Sequence, residues 1–272
     1  MSAREDNTHH EDLLYDVDGH VATITLNAPD RMNTISGPML DGLTELLLKA
    51  EADTAVRCVI LTGNGRAFCA GLNLQAATGG ESGGMSSSSI GSANLDIRNT
   101  PPTVLFNMDT PTICAVNGGA AGYGMDTALG CDVRIMADTA KMAAAFCKRG
   151  VLPESGGTWF LPRLLGWEKA AQLIFTGRTL SADECLDYGL CAEVVPAAEL
   201  MERARALADE IAANGPLAVQ GAKRMMRMGL SEPFNEHVHH VFLQLLPLMR
   251  SEDAMEGMKA FLEKRPAVFK GR

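Results

Sequence analysis

Two short glycine-bearing stretches constrain this chain most: Ala67-Phe68-Cys69-Ala70-Gly71-Leu72-Asn73 and Asn117-Gly118-Gly119-Ala120-Ala121-Gly122-Tyr123-Gly124-Met125-Asp126. Each follows an apolar run with the character of a buried strand, Cys58 to Leu61 before the first and Ile113 to Val116 before the second. Each then opens into a predicted helix. A strand that stops at small residues and opens a helix leaves backbone N–H groups unpaired and pointing outward. Two such groups aimed at one point make an oxyanion hole, which stabilises negative charge growing on a carbonyl oxygen. The pattern predicts chemistry on an acyl group.

The flanking pattern alternates strand and helix. Val21 to Leu26 is a predicted strand of alternating and β-branched character. Ser36-Gly37-Pro38 starts a helix, and Met39, Leu40, Leu43, Leu46, Leu47 and Ala50 follow at helical spacing. Strands are predicted over Val56 to Thr62 and Val133 to Ala137, and Ser181-Ala182-Asp183-Glu184 forms a capping box. From about Met201 the pattern is helical to the end, with Pro216, Pro233 and Pro247 separating or kinking segments and Ser251 capping the last helix. This order predicts an α/β body with parallel pairing. The glycine- and serine-rich tract Thr78 to Ala93 predicts a mobile loop beside the first glycine stretch.

Composition narrows the function classes. A net charge of −9 opposes nucleic-acid binding, and no apolar run is long enough to span a bilayer. Met1 to Asp12 is polar and acidic, lacks the order of a signal peptide, and is expected to be a disordered lead-in. The 7 cysteines include no Cys-x-x-Cys pair, and Cys58, Cys114 and Cys131 sit in apolar runs as small buried hydrophobes. The expectation is a reduced, cytoplasmic protein. His237, His239 and His240 cluster on one predicted helix without a Cys or Glu at ligand spacing, which favours a solvated or interface face over a metal site.

Taken together and in order, the two stretches resemble those of the crotonase superfamily, the enoyl-CoA hydratase/isomerase family. The resemblance runs from about Val21 to Phe269 and includes Pro29-Asp30-Arg31-Met32-Asn33-Thr34, Pro153-Glu154-Ser155-Gly156-Gly157-Thr158, Thr176-Gly177-Arg178, Gly189-Leu190 and Phe261-Leu262-Glu263-Lys264-Arg265. It implies an α/β fold, a crotonase-like spiral of ββα turns with a helical C-terminal trimerisation region. The expected divisions are a lead-in over 1–12, a core over 13–200 carrying the CoA and acyl site, and a helical oligomerisation region over 201–272. A homotrimer or hexamer is implied, with an acyl-CoA substrate, no membrane or nucleic-acid partner, no metal, and no cofactor beyond the coenzyme A of the substrate.

Carried over position by position, the resemblance assigns the oxyanion amides to Leu72 and Tyr123. Tyr123 departs from relatives that carry glycine there, and Asn73 replaces a common aspartate. The two glutamates of the family's hydratases fall at Asp126, which keeps the acid one methylene shorter, and at Phe146, which cannot transfer a proton. Glu154 falls where isomerases of the family carry a lone catalytic carboxylate, and where dehalogenases carry a nucleophilic aspartate. The resemblance therefore favours an isomerase-type proton transfer with Glu154 as acid/base. A hydratase using Asp126 and Glu154, or a non-catalytic CoA-binding protein, is the alternative. Arg31, Ala70, Phe261 and Lys264 match the CoA contacts.

Two further motifs carry less. Gly80-Glu81-Ser82-Gly83-Gly84 fits Gly-x-Ser-x-Gly, but it stands in a glycine-serine tract rather than after a strand. Gly63-Asn64-Gly65 lacks the third glycine and the later acid of a dinucleotide fold.

Overall fold

The computed structural model describes residues 10–73 and 100–272. The 78–93 tract, the Gly80–Gly84 motif and most of the predicted lead-in lie outside the described residues. Strand β1 (Leu13–Asp18) pairs antiparallel with β2 (Val21–Leu26) across a turn at Gly19, whose φ of +60° suits glycine. The sheet then runs in parallel from β2 to β3 (Cys58–Gly63), β5 (Thr112–Val116), β7 (Val133–Ala137) and β10 (Glu193–Val195). Every residue of β5 is buried, as expected for a parallel strand covered on both faces.

A second sheet accounts for the glycine stretches. It contains β4 (Ala67–Cys69), β6 (Gly119–Ala121), β8 (Lys141–Ala143) and β9 (Thr179–Ser181), in that order. In three successive passes the chain places one strand in the large sheet and the next in the small one: β3 and β4, β5 and β6, β7 and β8. Helices α2 (Pro101–Asn107), α3 (Tyr123–Gly130) and α4 (Gly157–Leu165) follow those passes, giving a repeated ββα plan. This corrects the reading of each stretch as a direct strand-to-helix opening. A three-residue strand of glycine and alanine has too little side-chain alternation to be seen in sequence. The helix expected directly after the first stretch falls outside the described residues.

Helix α1 (Gly37–Ala52) begins as predicted, with Ser36 Oγ accepting from the Met39 amide. It buries Met39, Leu43, Leu46, Leu47 and Ala50. Helices α5 (Trp167–Thr176) and α6 (Ala182–Tyr188) follow, and the capping box between Ser181 and Glu184 is complete at α6. Helix α7 (Leu200–Ala212) packs on β3 and β5 through Leu200, Ala204 and Ala208, so the C-terminal helices begin against the large sheet. Helices α8 (Pro216–Gly229), α9 (Phe234–Leu248) and α10 (Glu252–Glu263) complete the chain. Ser251 caps α10 through the Ala254 amide.

All seven cysteines are free, and only Cys147 is exposed. Burial pushes the Cys58 and Cys69 thiols up to about 12, so they are inert packing groups. The histidine cluster does meet a carboxylate: Glu232 lies 3.0 Å from Nδ1 of both His237 and His240, from a turn that local spacing did not mark. No helix among the described residues is long and apolar enough to cross a membrane.

Candidate active site

The first glycine stretch is held from below by one buried asparagine. Asn33 is fully buried, with left-handed φ of 53°, at the end of the short turn after Pro29. Its Oδ1 accepts from the Ala28 amide at 2.8 Å, and its Nδ2 donates to the carbonyls of Asn64 (3.0 Å) and Ala67 (2.8 Å). The Ala70 amide donates to the Met32 carbonyl at 3.1 Å. Ile35 donates to the Gly71 carbonyl and accepts from the Asn73 amide, a parallel bridge that turns the Leu72 N–H to the other side. Among the described residues no backbone carbonyl takes that N–H.

Asn33 is a residue whose role local pattern did not disclose, though it stands in a quoted motif. Asn33→Ala removes the partner of three backbone groups in a sealed place. It should destabilise the protein by about 3 kcal/mol, read as a lowered midpoint in chemical denaturation. An unchanged midpoint would rule out this clamp.

The second amide comes from the N-terminus of α3. Gly122 (φ +56°) turns the chain out of β6, and Tyr123 is the first residue of the helix. Its N–H, like the other first-turn amides, has no intrahelical partner and carries the positive end of the helix dipole. The two openings meet through glycine: a Cβ on Gly71 would stand 2.9 Å from the Ala121 carbonyl and 3.8 Å from the Tyr123 nitrogen. Gly124 is equally constrained, since a Cβ there would collide with the Cys69 backbone of β4. Small residues bring these backbones together. Side chains would hold them apart.

Around this pair stand two carboxyls and one aromatic ring. Asp126, in the first turn of α3, is 1% exposed. Its Oδ2 accepts from Ser155 Oγ at 2.7 Å and from the Gly157 amide at 3.0 Å. Its Oδ1 is buried without a hydrogen-bond partner among the described residues. Burial dominates and raises its pKa to about 7, against the lowering effect of the Ser155 and Gly157 bonds; Glu154 raises it further.

Glu154 lies in the turn before α4 and is exposed. Desolvation by the protein around the carboxyl nonetheless raises its pKa. Its charge is felt by both Asp126 and Tyr123; in Tyr123 burial and then Glu154 raise the phenol pKa. Phe146 is buried, and its ring tip lies 4.0 Å from where a Gly122 Cβ would be. An apolar ring therefore stands at the turn that presents the Tyr123 amide. Phe106 of α2 and Trp159 and Phe160 of α4 form an edge-to-face trio, with ring centroids 5.0 to 5.7 Å apart.

The residues matched to CoA contacts are more scattered. Arg31 forms a forked pair with Asp12, at 3.1 and 2.7 Å, while its Nε donates to the Thr34 carbonyl. Asp12, expected in the lead-in, is thus held next to that turn. Ala70 lies beside the same turn through its bond to Met32. Phe261 is 83% exposed near the end of α10, and Lys264 caps that helix with φ +56°. No backbone hydrogen bond joins Phe261 or Lys264 to Arg31 or Ala70 among the described residues. Ser155 and Gly157, which fix Asp126, had no role assigned from sequence.

Comparison with known proteins gives the arrangement its relatives. The enoyl-CoA hydratase/isomerase family model matches residues 16–272. The Bacillus subtilis (strain 168) protein YngF is 38% identical over 256 residues, covering 93% of this chain and 95% of that protein. Carnitinyl-CoA dehydratase of Escherichia coli (strain K12) is 36% identical over 267 residues, 96% of this chain and 99% of that enzyme. The crystal structure of enoyl-CoA hydratase from Bacillus anthracis superposes with a TM-score of 0.88 at 34% identity, covering 96% of this chain and all of that one.

Proposed function

The chain belongs to the enoyl-CoA hydratase/isomerase family, and from that premise we propose that it shifts the double bond of an enoyl-CoA thioester, with Glu154 as acid/base. The observation that carries the reading is the close approach of Gly71, the residue before Leu72, to the Ala121 carbonyl and the Tyr123 nitrogen. Glu154 takes a proton from C2 of a 3-enoyl thioester. The electron pair moves toward the carbonyl, and the oxygen becomes an enolate between the two amides. The same carboxyl returns the proton at C4, leaving the 2-enoyl thioester. Removing one such amide donor from an enzyme of this kind costs about 3 kcal/mol of transition-state stabilisation.

Hydration needs a second group to activate water. Phe146, packed against Gly122, supports the one-carboxyl route, because a phenyl ring neither moves a proton nor holds a water. In this reading Arg31, Ala70, Phe261 and Lys264 contact the nucleotide end of CoA, with Arg31 exchanging Asp12 for phosphate. Coenzyme A enters as part of the substrate. A homotrimer or hexamer brings Phe261 and Lys264 of one chain toward the site of another. The exposed Phe234 and Phe242 of α9, a helix without a buried residue, support that assembly.

Calorimetric titration with acetoacetyl-CoA or a medium-chain acyl-CoA is expected to give saturable binding. Incubation with a 3-enoyl-CoA and a 2-enoyl-CoA in deuterated water is expected to give exchange at C2 and C4 with little hydrated product. Absence of binding across a broad CoA panel by folded protein would remove the proposal. Hydration as fast as exchange would replace it with a hydratase using Asp126 and Glu154. Binding without either reaction would leave a CoA-binding protein.

A further inference from the structure

We propose that Asp126 is a positioning residue: its buried carboxylate ties the turn that bears Glu154 to the helix that presents the Tyr123 amide, and it exchanges no proton with substrate. This rests on the reading of Glu154 as the acid/base. The geometry behind it is specific. Both bonds to Asp126 converge on one oxygen, and both come from the residues just after Glu154, the Ser155 hydroxyl and the Gly157 amide. Gly157 is the first residue of α4, so Asp126 also supplies the negative charge that a helix N-terminus favours.

The contact is close. A Cβ on Gly157 would stand 3.0 Å from the Asp126 Cγ, so only glycine lets the carboxylate reach the helix end. Thr158 Oγ1, at 3.4 Å from the Pro153 carbonyl, holds the turn from its other side. Glu154 is therefore the exposed member of a turn fixed at both ends, and Asp126 is the sealed member. A group that takes a proton at C2 and returns it at C4 must reach the ligand. An anchoring group need only reach the turn.

This division of roles also bears on the two charges. The groups facing Asp126 are Glu154 and Ser155 from the turn, the Gly157 amide of α4 and Tyr123 from its own helix; none is cationic. Glu154 raises the pKa of Asp126, whereas burial raises that of Glu154 with no contribution from Asp126. A neutral residue at 126 should then leave the ionisation of Glu154 in place. An Asp126 that exchanged a proton with substrate would instead carry the acid limb with it.

The test compares wild type, Asp126→Asn, Asp126→Ala, Ser155→Ala and Glu154→Gln in turnover of trans-3-hexenoyl-CoA across pH. Asparagine still accepts both bonds on its side-chain oxygen, so kcat is expected to fall less than about tenfold. The acid limb of kcat/KM should stay in place, because Glu154 sets it. Alanine releases the turn, and kcat should fall roughly 30-fold or more with KM little changed. Ser155→Ala should fall between these, and it keeps the comparison decisive if the alanine variant does not fold. Asp126→Asn as inactive as Glu154→Gln, or a lost or displaced acid limb, overturns the positioning role. Full activity in Glu154→Gln instead removes its premise, a separate and recognisable failure.

Discussion

Glu154→Gln is expected to lower turnover of a 3-enoyl-CoA on the order of 100-fold, in line with the loss of a general base. Glutamine keeps the length and the shape of the side chain but cannot accept the C2 proton. The carboxyl is exposed, and it contributes no hydrogen bond to the Asp126 network, so the fold and the affinity for an acyl-CoA should change little. The sign of the pH dependence follows from its raised pKa. The base form is the ionised one, so activity is lost as pH falls through a value above the ordinary glutamate range. Steady-state kinetics beside calorimetric titration separate the two quantities. If Glu154→Gln keeps most activity while Asp126→Asn abolishes it, the roles are reversed and hydration built on Asp126 is the better mechanism.

The candidate site was legible in sequence to the extent that it is built from local signals. Ser36, Ser181 and Ser251 announced helix starts because a cap is decided within one turn. The strands Val21–Leu26 and Val133–Ala137 stand at the predicted bounds, since each is long enough to show its apolar character. The strand expected from Val56 instead begins at Cys58.

What local pattern could not carry is contact between distant segments. The second sheet consists of three-residue strands whose neighbours are set by the winding of the whole chain. Ser155 and Gly157 bond to a residue 29 and 31 positions earlier, and Arg31 reaches back 19 to Asp12. The glycines pointed to the right places but under a partial reason. Beyond opening helices, several permit backbone to touch backbone, as Gly118 does at Arg66 and Gly124 does at Cys69.

Gly71 offers the sharpest test of that close approach. Its φ of +103° is one that a side chain resists, and the space where a Cβ would go is taken by the Ala121 carbonyl at 2.9 Å. Gly71→Ala must therefore relax by moving the Leu72 segment away from the start of α3. The Ile35 bridge holds the segment on its other side, so the displacement falls on the gap between the two amides. A donor moved out of reach of the enolate oxygen costs about 3 kcal/mol, so kcat should fall on the order of 100-fold. Backbone strain of about 1–3 kcal/mol should lower the melting temperature as well. A matched variant separates the two effects. Gly19→Ala carries a positive-φ strain of the same kind in the β1–β2 turn, where the nearest atom to a new Cβ is Arg205 Nη2 at 3.9 Å. It should lose stability with kcat retained. Gly71→Ala at near wild-type turnover, in protein that is folded and binds acyl-CoA, would show that the Leu72 amide holds no charge in the transition state.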